Sequence, residues 1–318
     1  MRILLANSEM EYRGGTQAWI KTMWDVLSED HAVALFVHSG RLPGWAQPFD
    51  PEAQYDVALI NHFPAFRALS NASIGVRIVT SHGVIPAEEW PSWGADAYVS
   101  VSESVSRHIP FKSEIIRNPL DLERFRPRSL VSSSVSRVAF VSNRQGDARS
   151  IVDEAACLLP EVEFRVVGGE TAVDDVEEVY DWADLVIGIA RTAVEALACG
   201  RDVIAFDYCG FHGRVTKENL AYMYDVNFGG HAQGRWPSAQ ELANEIAAFN
   251  PDARLAEIIR SNHDPRRIAE AYIDLANSVT RVRRLSGVLI RTIPQLTSPR
   301  ITTVIDKVKR GVRRSSKR

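Results

Sequence analysis

The chain has 318 residues, 45% of them apolar and 24% charged, the composition of a soluble globular protein long enough for two domains of ordinary size. Its three cysteines, Cys157, Cys199 and Cys209, are too few for a disulfide framework or a zinc ligand set, which points to a reducing, cytoplasmic setting. The net charge of −3 hides an acidic body and a basic end: residues 281–318 carry +11, which leaves −14 for the remaining 280.

The apolar run at the N-terminus is far too short for a signal peptide and reads as a first buried strand. No stretch reaches the roughly 18 to 20 uninterrupted apolar residues that a membrane-spanning helix needs. Strands are expected at 3–6, 32–37, 57–61, 74–80, 97–101 and 114–116, and again at 138–141, 163–167, 185–187 and 203–206. Amphipathic stretches at 16–27, 104–108, 148–159 and 192–199 read as helices. Several strands are continuous Val/Ile/Leu runs, as parallel strands covered on both faces are, and their alternation with helices gives an α/β class. The alternation breaks at 121–136, where Pro119, Pro127 and a serine-rich run form a linker. The expected plan is therefore two Rossmann-like domains, 1–130 and 131–260, facing a central cleft, followed by helices and a basic tail over 261–318.

Five segments lie where chemistry collects. Gly14 and Gly15, after the first strand, either let backbone N–H groups approach an anionic ligand or form a tight turn capped by Thr16. The spacing is not Gly-x-Gly-x-x-Gly, so the dinucleotide fingerprint fails. His82 ends the 74–80 strand, where ligands gather in open α/β sheets, and reads as a substrate contact or as a structural loop histidine; His62 is a similar, weaker case. Two histidines so spaced form no metal site. Ser100–Ser104 and the run from Arg117 to Pro127 read as a strand end and a turn. The run from Ser142 through Asn143, Arg144 and Gln145 to Arg149 offers two guanidinium groups suited to phosphate, or a solvated loop paired with Asp147. The strongest segment is 182–210: a strand ending near Ile187, a small-residue loop with Gly188, and a helix from Thr192 whose start suits a diphosphate. Glu195, one turn inside, is placed to accept from ribose hydroxyls, and Gly200 closes the helix.

In this order the segments resemble glycosyltransferase family 4 and its GT-B relatives, from Met1 to about residue 230. Gly14 and Gly15 resemble that family's N-terminal glycine loop near the nucleotide-sugar phosphates. Ser100–Ser104, then Asn118-Pro119-Leu120-Asp121 and Phe125-Arg126-Pro127, resemble its interdomain signature. His82 is similar to a histidine near the reacting sugar, and Arg144 to the arginine that steadies the diphosphate. The family's following lysine is missing, with Arg149 as its replacement. Glu195 resembles the second glutamate of a paired-glutamate motif whose first member falls at Ile187. The tract Gly188 to Thr192, with Arg191, resembles a Gly-x-x-Arg-Thr variant, which the segment from Gly210 to Thr216 and Asn227-Phe228-Gly229-Gly230 also suit.

The resemblance implies a retaining transfer from a nucleoside-diphosphate sugar to a hydroxyl of a glycan, lipid-linked or small-molecule acceptor. It implies no metal and no cofactor beyond that substrate. The backbone near Gly168 and Gly169 would select the base. No Asp-x-Asp motif and no glycosidase carboxylate pair is present in the sequence. A nucleotide-sugar binder without turnover, and an epimerase or phosphorylase of the same fold, are the alternatives. Within 281–318, apolar residues alternate with basic ones as in helices lying on anionic lipid, which gives a peripheral membrane contact; a solvated terminus or a helix crossing back to the first domain is the other reading. Nucleic acid is not expected as a partner, because the body is acidic.

Overall fold

Strand β1 (Arg2–Asn7) starts a pattern that then repeats: an apolar strand, a turn, an amphipathic helix. The structure, a computed structural model, describes residues 1–11, 14–84, 87–129, 132–144, 146–231 and 233–279. The basic stretch 281–318 lies outside the described residues, as does Arg13.

In the first unit β1 is followed by α1 (Gly15–Leu27), β2 (Ala32–Val37), β3 (Tyr55–Asn61), α2 (Phe63–Ala68), β4 (Ile74–Ser81), β5 (Ala97–Ser100), α3 (Glu103–His108) and β6 (Glu114–Ile115). These strands form one parallel sheet in the order β2-β1-β3-β4-β5-β6. Successive side chains of a strand leave opposite faces. Ile3 and Leu5 therefore pack with Trp19, Ile20 and Met23 of α1, while Leu4 and Ala6 pack with Ala65 and Phe66 of α2.

The second unit runs through β7 (Arg137–Val141), α4 (Gly146–Cys157), β8 (Glu163–Val167), α5 (Val176–Trp182), β9 (Leu185–Ile187), α6 (Arg191–Ala198), β10 (Asp202–Asp207), β11 (Gly210–Arg214), α7 (Leu220–Asp225), α8 (Ala239–Ala247) and α9 (Ala253–Asn262). Its sheet order is β11-β10-β9-β7-β8, parallel except for β11. Val138 and Phe140 face α4 and α8; Ala139 and Val141 face the cluster built from α5, α6 and α9. The short antiparallel β11 has no apolar alternation for the sequence to reveal. It forms by hairpin pairing with β10 across an irregularity at Ala205/Phe206.

The chain divides as Met1–Pro119 with the chain from Pro265 onward, and Leu120–Asp264. This differs from a junction at 130/131 followed by a separate terminal segment. Leu120 and Phe125 belong to the core that holds Val179 and Tyr180, so the crossing comes before the serine-rich stretch. At the other end α10 (Pro265–Ser278) returns to the first unit, where Ile268, Ala269, Tyr272 and Ala276 fill its core. Among the described residues no helix is long and apolar enough to cross a membrane.

Tyr272 is fully buried, 5.6 Å from the Trp19 ring, with its hydroxyl 2.9 Å from Thr80 Oγ1. Tyr272→Ala is expected to cost the first unit about 3–5 kcal/mol through the cavity it leaves. Tyr272→Phe should cost about 1 kcal/mol through the lost hydrogen bond. Urea unfolding followed by tryptophan fluorescence checks both.

Candidate functional site

A chain that goes from its first strand to one neighbour and then crosses to the other side leaves a crevice where the strand order reverses. In the second unit β7 is paired with β8 on one side and β9 on the other, so its crevice lies beyond the ends of β7 and β9. The loops gathered at this edge of the sheet contain Ser142 to Arg144, Gly168 and Gly169, Gly188 to Ala190, and Asp207 with Tyr208. Gly168 is required there. Its φ is +120°, and a Cβ would stand 2.0 Å from the Ser142 carbonyl oxygen, so any side chain would force apart the loops after β7 and β8. Gly169 N–H donates to Asn143 Oδ1 at 3.3 Å.

Helix α6 begins without a side-chain cap and without an acid in its first turn. Its N-cap, Ala190, has φ 52° and ψ −121°, a strained conformation for a residue with a Cβ. The neighbourhood imposes it: Ala190 N–H donates to the Phe228 carbonyl, and Gly230 lies so close that a Cβ there would sit 2.8 Å from the Ala190 methyl. Gly188 is equally confined, since a Cβ on it would meet Thr192 Cγ2 at 2.5 Å.

The sequence assigned Glu195 to ribose. In the structure both its oxygens are engaged inside the unit: Tyr180 Oη donates to Oε2 at 3.0 Å, and Arg191 Nε to Oε1 at 2.6 Å. Burial, then the adjacent Glu195 carboxylate, push the Tyr180 phenol well above its ordinary value, so it stays protonated and donates. Thr192 joins this group through a hydrogen bond to Tyr180. Arg191 is partly exposed and turned back onto Glu195. Arg149 lies on α4, where its Nε donates to both oxygens of Asp153 at 2.7 Å. Arg144 is exposed, with its guanidinium 5.0 Å from the centre of the Tyr208 ring. Ile187 is fully buried, registered with Phe140 and Ile204 in mid-sheet, so no carboxylate stands at that position.

The sequence reading missed Asp207. It ends β10, is 3% exposed, and its Oδ1 has no hydrogen-bond partner among the described residues. Burial pushes its carboxyl up from 3.8 to about 6, against the pull of the Ser142 hydroxyl, the Tyr208 backbone and Arg144. A strand ending in an acid after four apolar residues was the available signal.

The first unit has its own reversal, between β1 and β3. Gly14 and Gly15 lie beyond β1; Gly14 is extended, and a Cβ on Gly15 would meet nothing within 4 Å, so internal packing does not require a glycine there. Each ring nitrogen of His82 is 2.9 Å from an asparagine Oδ1, Asn61 on one side and Asn118 on the other. The His82 backbone N–H donates to Glu89 Oε2 at 2.8 Å, and His62 Nε2 is 3.4 Å from Glu89 Oε1. Burial raises the Glu89 carboxyl, but His62 and His82 more than offset it and leave it below its ordinary value. His62 holds φ 69°, another strained strand end. The sequence pointed to His82; Asn61, Glu89 and Asn118 meet it only through the fold. Among the described residues no three His, Cys, Asp or Glu side chains gather as a metal-ligand set.

Because the folded protein raises the Asp207 value from 3.8 to about 6, the folded form binds a proton that the unfolded chain has released, and stability falls as pH rises through that window. Asp207→Asn removes this fall. The variant is expected to match the wild type near pH 4 and to exceed it by about 1–3 kcal/mol at pH 7, at about 1.4 kcal/mol per pH unit. Urea unfolding across this range checks it.

No family model matches the chain, and no curated protein matches it in sequence. Solved structures do resemble it. AviGT4, a glycosyltransferase involved in avilamycin A biosynthesis, aligns with a TM-score of 0.59 at 15% identity over 87% of this chain and 97% of its own. An alpha-glucosyltransferase solved with UDP and a 13-mer DNA aligns at 0.52 and 11% identity, over 87% of this chain and all (100%) of its own. The catalytic domain of starch synthase IV from Arabidopsis thaliana, bound to ADP and acarbose, aligns at 0.52 and 10%, over 87% and 98%. At these identities the likeness establishes the fold: two parallel-sheet α/β domains of the kind these glycosyltransferases have.

Proposed function

We propose that this chain is a glycosyltransferase that moves a sugar from a nucleoside-diphosphate sugar to a hydroxyl acceptor, with the nucleotide sugar held at the strand ends of the second unit. The observation that best supports this reading is the start of α6. It is uncapped, has no acid in its first turn, and follows β9 at the reversal of the sheet. N–H groups in such a position suit a diphosphate. Arg144, on the loop after β7, adds an exposed guanidinium to the same edge. The similar structures solved with UDP and with ADP support the same ligand class.

The reading follows family 4 in its chemistry, a retaining and metal-independent transfer. The bond from the anomeric carbon to the diphosphate breaks, the acceptor oxygen bonds on the same face, and its proton leaves with the diphosphate. Arg144 and the α6 N–H groups meet the charge that builds on the leaving group. Glu195 acts by bracing Arg191, and Gly168 and Gly169 border the base. In the first unit His82, steadied by Asn61 and Asn118, contacts a sugar hydroxyl, and in the Gly14-Gly15 loop Gly15 leaves room for ligand beside its backbone.

A thermal-shift screen of UDP-, GDP-, dTDP- and ADP-glucose is expected to stabilise the full chain with at least one of them. Arg144→Ala should weaken that ligand about tenfold or more, since a hydrogen bond to a charged group is worth about 1.5–3 kcal/mol, while the unliganded melting temperature stays unchanged. No shift with any of the four sinks the reading. Release of nucleoside diphosphate on adding acceptors separates transfer from binding alone. The proposal extends, on sequence alone, to peripheral contact of 281–318 with anionic membrane; co-sedimentation with anionic liposomes should be lost when that stretch is removed, and equal binding without it overturns the contact.

A further inference from the structure

Asp207 is the one buried acid at the ligand edge of the second unit whose own surroundings leave a carboxylate oxygen without a donor among the described residues. Glu195, by contrast, has both oxygens satisfied. The remaining interactions of Asp207 come from the Ser142 hydroxyl, the Tyr208 backbone and the charge of Arg144. Ser142 lies on β7's side of β9, and Asp207 on the other side, at the end of β10. Their side chains meet across the end of β9, where Gly188 contributes no side chain of its own. An ionised oxygen buried there without a donor costs more than a partnered one, and the Ser142 hydroxyl, the Tyr208 backbone and the Arg144 charge offset that cost only in part.

The chemistry narrows what completes it. A phosphate oxygen is repelled by like charge. An apolar group leaves the oxygen as it is. A ligand hydroxyl donates to a carboxylate, and Arg144 on the same edge is the group for the phosphates. We propose that Asp207 Oδ1 accepts a hydrogen bond from a hydroxyl of the bound nucleotide sugar, on its ribose or on its transferred sugar, and so helps decide which nucleotide sugar is taken. The inference rests on the nucleotide-sugar reading above and adds to it a specificity-determining residue.

Calorimetric titration of the full-length wild type and Asp207→Asn tests it. The probes are UDP-, GDP-, dTDP- and ADP-glucose, the matching nucleoside diphosphates, and inorganic pyrophosphate, which has no hydroxyl. Asp207→Asn is expected to weaken the preferred nucleotide sugar about tenfold or more, and to leave pyrophosphate within about twofold. A loss confined to the sugar-bearing ligand assigns the hydroxyl to the transferred sugar; an equal loss with the free diphosphate assigns it to ribose. Unchanged binding of every probe overturns the proposal, as does a loss that pyrophosphate shares, which marks a structural role. If the wild type binds none of the nucleotides, the nucleotide-sugar reading itself falls; if it binds and the variant binds equally, only the role of Asp207 falls.

Discussion

The pairing of the first strand of each unit with strands on both its sides governs everything that follows. β1 is flanked by β2 and β3, and β7 by β8 and β9. All these pairings are parallel, so within each sheet the strand ends that carry loops with polar residues lie along one edge of that sheet. A one-residue slip in such a sheet would exchange Leu4 and Leu5 between two fully packed faces, and so the register is held by burial rather than by any single contact. The reversal of strand order then opens the edge where a ligand fits.

Two of the four described non-glycine residues with positive φ stand at these edges. Ala190 and His62, both with positive φ, are the residues next after a loop or strand where a helix begins. Neither is a glycine, so each costs backbone energy, which packing around it must supply. At Ala190 the supports are visible in the Phe228 carbonyl and the crowding of Gly230. The result is a helix start without a side-chain cap.

Charge in the second unit is divided between satisfied and unsatisfied groups. Glu195, Thr192 and Arg191 of α6 and Tyr180 of α5 form one hydrogen-bonded group that ties the two helices together. Asp202 and Glu245 similarly hold the buried Arg214. Asp207 stands apart, buried with one oxygen unmet among the described residues and its carboxyl raised to about 6. A group kept in this state against stability is a usual mark of a site that a ligand completes.

By itself the sequence determined the class of fold and the position of its strands except β11. Continuous apolar runs such as Leu185–Ile187 and residues 138–141 with helices between them have few other solutions than a covered parallel sheet. It also located the strand-end loops holding His82, Arg144 and Gly188, because those loops are local features of the chain. Tertiary structure alone decided what the side chains in them meet. Glu195 is turned to Tyr180, fifteen residues upstream, and His82 is held by Asn118, thirty-six residues on. Asp207 matters because Ser142 reaches it across an intervening strand. The return of α10 to the first unit was equally out of reach, since an amphipathic helix specifies an apolar face but not which core will cover it. Spacing along a chain fixes periodicity; which buried polar groups find partners depends on strand order, and strand order is a property of the folded sheet.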